Sequence, residues 1–200
     1  MKHSYPVRLI IPGYAAVRNV KWLSKIQISE DEAEGPWQRG LNYKITPPGV
    51  TNIKGMDLDE MPSLNEVSLF SGITNVQKSH HGDDILEHHK PGDVINIKAS
   101  GWAWSGGGRN IVRVDLTGDK GKSWVPAKIT QGANQKYGRA WAWVFWEVDN
   151  IPAVVMDDNT VQVCSKAVDS SLNSQPEDCY HMWNVRGLGN NSWFRAHLKV

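Results

Sequence analysis

The chain has 200 residues, 22 lysines and arginines against 21 aspartates and glutamates, a formal charge of +1, and 40% apolar with 22% charged residues. That balance suits one good-sized globular domain, or one domain with part of another, and lacks the basic excess of a general nucleic-acid binder. No run of about 18 apolar residues occurs, so no membrane-spanning helix is expected.

The first segment, HSYPVRLIIPGYAAVRNVKWL (3–23), holds His3, Arg8, Arg18 and Lys21, with Lys25 just behind, and no acid appears before Glu30. Its apolar run, Leu9 to Ile11, stops at Pro12-Gly13, which is too short for a secretory leader. VRLIIPG and NVKWLSKIQIS each alternate as short strands would. Two strands and a loop do not make a core, so this part either belongs to something larger or packs on the rest. Guanidinium and ammonium groups beside tight turns suit a phosphate, because charge-assisted bonds and backbone N–H groups converge there. A solvated basic edge is the competing reading. EDEAE (30–34) then reverses the sign, and residues 40–63 are rich in Gly, Pro and Asp with little periodicity, as in an extended connector.

From about Met61 the pattern is regular and β-like. Alternating runs at 66–73, 93–105, 110–117, 123–129, 139–148, 159–169 and 192–200 are separated by turns such as SGGGRN and GDKGKS. About seven strands at this spacing predict an antiparallel sandwich of immunoglobulin-like type, a mainly β fold. In AWAWVFWEV, Ala142, Val144, Trp146 and Val148 share one face and Trp141, Trp143 and Phe145 the other. Both faces are apolar, so the strand is central or covered by a partner, and an interface is expected there. Cys164 ends an apolar run while Cys179 lies in the polar stretch NSQPEDCY, contexts that favour free thiols and a reducing compartment.

Several stretches invite a chemical reading. SHHGDDILEHHKPG (79–92) has two His pairs with Asp83, Asp84 and Glu87, but no zinc spacing, and reads as a polar loop. SGGGRN lacks the GxxxxGK[ST] spacing of a phosphate cradle and reads as a wide turn. In WNVRGLGNN (183–191), Arg186 stands between an aromatic and a glycine-rich turn, either reaching outward or stacked on Trp183. No Ser-His-Asp signature and no marked carboxylate pair is present. The residues alone describe a β-sandwich module with an anion site and a partner face.

HSYPVRLIIPGYAAVRNVKWL, WQRGLNYK, GWAWSGGGRNIVRVDLTGDKGKSW, RAWAWVFWEV, CSKAVDSSLNSQP and MWNVRG, in that order, resemble the eukaryotic sulfite oxidase family of molybdopterin oxidoreductases. The resemblance runs nearly end to end and breaks at 50–60 and 75–92. It implies that residues 1–60 are the tail of an α+β molybdopterin-binding domain and 61–200 an immunoglobulin-like dimerisation domain. His3 and Arg8 match the cofactor-contacting positions of the family's HGFPVR motif. Asn19, Val20 and Lys21 fall on the contact positions of RHVKW, with Asn where His is usual. Arg186 matches the Arg of WNLRG that reaches the substrate oxyanion. The family's molybdenum-ligating Cys lies upstream of the matched region, and neither Cys164 nor Cys179 matches it. No catalytic or metal-ligating residue is therefore assigned within this chain, and by itself it is expected to be inert. The resemblance further implies a molybdenum–molybdopterin cofactor in the complete protein, a homodimer through the sandwich, sulfite as substrate, and heme or cytochrome c as electron acceptor. It places such a protein in the mitochondrial intermembrane space. Assimilatory nitrate reductase shares both domains but typically carries Met where Arg186 stands; the NNSWFRA ending leans toward those enzymes. A non-catalytic dimerisation module is the alternative of a different class.

Overall fold

The computed structural model describes residues 6–15, 18–79 and 89–200. His3 and most of the His-rich loop lie outside the described residues. The chain forms two compact units, one of residues 69–177 with 191–200 and one of residues 1–68 with 178–190.

The larger unit is a β-sandwich. Its strands are β1 (Phe70–Lys78), β2 (Val94–Trp104), β3 (Ile111–Thr117), β4 (Val125–Pro126), β5 (Lys128–Gln131), β6 (Val144–Val154), β7 (Thr160–Asp169) and β8 (Phe194–Lys199). One sheet runs β1-β2-β6-β5 and the other β4-β3-β7-β8, with antiparallel pairing throughout. This is the ABED and CFG order of an immunoglobulin-type sandwich with β4 added at one edge. The expected mainly β fold is what the chain adopts.

Period-2 alternation builds the core. Ile97, Ala99 and Ala103 on β2, Val114 and Leu116 on β3, Val144, Trp146 and Val148 on β6, and Val161 and Val163 on β7 meet in one cluster. Gly101 on β2 makes room for the indole of Trp146, which a Cβ there would strike. The hydroxyls of Ser71 and Ser165 join β1 to β7 at 2.9 Å inside the sandwich.

Strand boundaries moved for identifiable reasons. The run at 66–73 is not one strand: the Val67 N–H donates to Gly13 O at 3.0 Å and Glu66 bridges Tyr14, so 66–67 pair within the smaller unit. The run at 123–129 is split. Val125–Pro126 pair with β3, whereas Lys128–Gln131 pair with β6, so the chain changes sheets at Ala127. Pro126 has no N–H to extend a ladder and sits on an edge strand. The run at 139–148 starts its strand at Val144 and continues to Val154. Residues just before it are held off by Gln135, which accepts from the Ala142 N–H at 2.8 Å and donates to Ala142 O at 2.8 Å. Pro152 is tolerated in β6 because β5 pairs no further than Glu147.

The smaller unit lacks this regularity. The expected strands at its start are extended segments tied by two bonds, Leu9 N–H to Val20 O at 2.9 Å and Leu23 N–H to Val7 O at 3.1 Å. Among its described apolar residues only Ala15 is buried, while Ile10, Trp22, Ile26 and Ile28 are exposed. A chain of polar contacts holds it instead. Lys44, fully buried, donates to Met61 O at 2.7 Å and pairs with Glu32 at 3.3 Å. Glu32 accepts from Gln38 at 3.2 Å, and Gln38 accepts from Arg18 at 2.8 Å.

Candidate cofactor and anion site

The Pro12-Gly13 turn starts the site. Gly13 takes φ 86°, a left-handed conformation in which a side chain is disfavoured. The Tyr14 N–H closes the turn onto Ile11 O at 3.2 Å. Asn19 locks the same turn from its far side: its Oδ1 accepts the Ile11 N–H at 2.7 Å and its Nδ2 donates to Tyr14 O at 3.3 Å. The Asn at this position is thus a structural clamp between the two basic segments. Val20 supplies the carbonyl that receives Leu9, and its side chain is exposed. Arg8 and Lys21, on the two tied segments, are both exposed cations.

Arg18 differs from them. Its Nη2 donates to Gln38 at 2.8 Å and to Asn65 at 3.0 Å, and its guanidinium lies 4.0 Å from the Tyr43 ring centroid. Nη1 is buried without a hydrogen-bond partner, and Arg18 lines a cleft of about 540 Å³ with Trp37, Gln38 and Asn65. Composition could count Arg18 among the charges but could not show that it is a stacked, hydrogen-bonded pillar.

Arg186 rides on a turn organised by Asn184, which is 2% exposed. Asn184 Oδ1 accepts from the N–H groups of Arg186 at 3.2 Å and Leu188 at 3.0 Å, and its Nδ2 donates to Leu188 O at 2.7 Å. Gly187 and Gly189 take φ 64° and 69°, and the Gly187 N–H returns to Asn184 O at 2.9 Å. Arg186 itself is exposed, and among the described residues no cation–π contact joins it to Trp183. The 178–190 segment carrying Arg186 belongs to the same compact unit as Arg8, Asn19, Val20 and Lys21. Sequence reading missed Asn184; an Asn two residues before Arg-Gly in a glycine-rich turn was the available signal.

The side-chain donors suit a phosphate-bearing group: exposed guanidinium and ammonium groups at Arg8 and Lys21, and a buried guanidinium nitrogen of Arg18 with spare capacity. Nothing comparable offers a thiolate. Cys164 and Cys179 are free, and burial pushes the Cys164 thiol up, the nearby Arg195 opposing it only in part. The SGGGRN stretch is a turn at 106–108 as expected. Its Arg109 is structural, donating to Ser105 Oγ at 3.3 Å and pairing with buried Asp169 at 3.2 Å.

Comparison with known proteins identifies the family. The family description "Mo-co oxidoreductase dimerisation domain" matches residues 63–200, and "Oxidoreductase molybdopterin binding domain" matches residues 1–37. The mitochondrial sulfite oxidase of Rattus norvegicus is 38% identical over 99% of this chain and 34% of its own length. The sulfite oxidase of Arabidopsis thaliana is 36% identical over 99% of this chain and 48% of its own. The nitrate reductase [NADH] of Lotus japonicus is 35% identical over 99% and 22%. The crystal structure of the sulfane dehydrogenase SoxCD from Paracoccus pantotrophus shares the fold, with a TM-score of 0.64 at 24% identity over 99% of this chain and 45% of that one. The chain thus spans about a third of the rat relative's length, 34%. With a dimerisation-domain match over 63–200 and a cofactor-domain match over 1–37, the chain belongs to the sulfite oxidase-like molybdopterin oxidoreductases, as their C-terminal portion.

Proposed function

We propose that this chain serves as the C-terminal portion of a sulfite oxidase, in the molybdenum-dependent oxidation of sulfite to sulfate. It contributes part of the cofactor site, one substrate-binding arginine and the homodimer contact. In this reading Arg8 and Lys21, with the backbone at Asn19 and Val20, hold the pterin and its phosphate; His3 joins them by family resemblance. Molybdenum bound by the pterin supplies oxygen-atom transfer and electron acceptance. Arg186 orients the substrate oxyanion by charge and hydrogen bonding. The observation that carries the reading is that Arg186 and the cofactor-position residues lie in one compact unit. The apolar side chains left uncovered there, Ile10, Trp22, Ile26 and Ile28, further support packing of this unit against the rest of a cofactor domain.

Sulfite is favoured over nitrate because a dianion gains more from an extra guanidinium than a monoanion does. Nitrate reduction is the second reading, since the Lotus japonicus nitrate reductase is 35% identical over 99% of the chain. Heme or cytochrome c is the electron acceptor in the sulfite reading, and the mitochondrial intermembrane space is the location, following the rat relative's description as mitochondrial. A complete oxidoreductase carrying this chain is expected to oxidise sulfite with cytochrome c as acceptor. Nitrate reduction in its place would overturn the assignment.

A further inference from the structure

The GDKGKS turn between β3 and β4 is built more firmly than a connecting loop requires. Thr117 Oγ1 donates to Asp119 Oδ1 at 2.7 Å and accepts the N–H groups of Asp119 at 3.3 Å and Gly121 at 2.9 Å. Asp119 also accepts the Ser123 N–H at 2.9 Å and the Ser123 hydroxyl at 2.6 Å. The Asp119 carboxylate is thereby committed to the turn, and the lysines on either side of Gly121 are carried on a fixed backbone. Lys120 takes φ 61°, a left-handed conformation that suits Gly or Asn and disfavours a long side chain. Both Lys120 and Lys122 are exposed, and among the described residues no hydrogen bond or ion pair engages either ammonium group. The turn gains nothing from a lysine at position 120 that a glycine would not give it. A residue held in such a conformation without a structural return points to a use for its side chain.

The same turn lines a cleft of about 660 Å³, a size that takes a small molecule. Val154, Val155 and Met156, where β6 ends, give the cleft its apolar lining. Backbone bonds fix that segment: the Val154 N–H donates to Gly118 O, the Gly92 N–H to Val155 O and the Val155 N–H to Asp93 O, each at 2.9 Å. Gly118 allows the approach, since a Cβ there would stand 2.5 Å from Pro152 O and 2.6 Å from Ala153 Cα. The turn after β6 adds Asp157 and Asp158, both exposed. Asp158 accepts the Thr160 N–H at 3.1 Å and its hydroxyl at 2.7 Å, whereas the Asp157 carboxylate engages no group among the described residues. Cations and carboxylates thus line one cleft without pairing, around an apolar stretch. A simple anion would answer the lysines and be repelled by the aspartates; a ligand with both charges on an aliphatic stem answers all three features. We propose that this cleft binds a small aliphatic zwitterion, its oxyanion head on Lys120 and Lys122, its ammonium group on Asp157 and its stem on Val154 and Met156.

The probe is ε-aminocaproate, with caproate and hexylammonium as its singly charged controls. Each is titrated into the full 200-residue chain carrying isotope-labelled methionine methyls, and the Met156 signal, assigned by its loss in Met156→Leu, is followed by NMR. ε-Aminocaproate is expected to shift the Met156 methyl saturably and to bind about tenfold or more tighter than either control, the worth of a second charge-assisted contact. Lys120→Gly and Asp157→Asn, at exposed positions, should each weaken it by about tenfold, to the level of the controls. Lys120→Gly should also melt no lower than the parent, because glycine relieves the left-handed backbone. Should Lys120→Gly fail to fold, Lys122→Gln is read for the same loss of binding. A Met156 signal that does not move up to the probe's solubility limit overturns the site. Caproate binding as tightly as ε-aminocaproate overturns the zwitterion, as does undiminished binding by the variants. Lost binding together with a lower melting temperature in Lys120→Gly assigns Lys120 to the fold and overturns its role as a ligand group.

Discussion

Asn184 is the side chain on which the position of Arg186 depends, because it closes the turn through both its amide nitrogen and its oxygen. Asn184→Ala is expected to cost about 1–3 kcal/mol, for losing three part-buried bonds to the turn backbone. In a complete oxidoreductase it should also raise the sulfite KM; a urea melt and a KM determination read the two effects apart. Arg186→Met should raise that KM by about 10- to 100-fold, the worth of a charge-assisted bond, with little effect on dimer mass. An unchanged KM would remove Arg186 from the substrate site. Asp169 is a different kind of residue. Burial works to raise its pKa, but hydrogen bonds from Asn173, Ser105 and the Ser171 and Asn173 amides together outweigh it, and the carboxyl ends below its ordinary value of 3.8. A depressed folded-state pKa gives stability that is present above 3.8 and lost as pH falls through the lower folded value. Asp169→Asn should therefore flatten the acid limb of a pH–stability curve below that value. At neutral pH it should cost about 1–3 kcal/mol, since the hydrogen bonds to the buried carboxylate and its ion pair with partly exposed Arg109 are weakened. An acid limb identical to the parent's would assign the effect elsewhere.

At the scale of elements, alternation foretold faces better than ends. Val144, Trp146 and Val148 are buried and Trp143 and Phe145 exposed, as period 2 divides them, but Ala142, expected on the inward face, lies before the strand and is exposed. The start of β6 was not legible, because it depends on Gln135 clasping Ala142 from a loop seven residues upstream. Nor was the split of 123–129, since a strand that changes sheets keeps its local pattern while its partner changes. Gly101 was not singled out by sequence; its role appears only when the Gly72 carbonyl and the Trp146 indole are seen against it. Gly101→Ala is expected to lower stability by about 1–3 kcal/mol through overpacking, measured by thermal unfolding. A melt within a degree of the parent's would mean that both the Gly72 backbone and the Trp146 indole give way freely.

For the whole molecule, the two units rest on different physics. The sandwich buries a continuous apolar cluster, whereas the smaller unit is held by the polar series Arg18, Gln38, Glu32 and Lys44. The proposed function implies that the 200-residue chain supplied with cofactor shows no sulfite turnover, for want of a thiolate ligand; turnover in a cytochrome c assay would contradict this. From sequence alone came the sandwich, the identity of its inward face, the basic opening segment and the family, because short-period alternation and ordered motifs are written locally along the chain. Only the tertiary structure decided that residues 178–190 join the N-terminal segment in one compact unit, that Arg18 is a pillar while Arg8 and Lys21 are exposed, and that Asn19 clamps the Pro12-Gly13 turn and Asn184 the turn carrying Arg186. Those outcomes depend on contacts between residues as far apart as Arg18 and Asn65, or on which of two acceptors a side chain reaches. Composition and period carry no record of either.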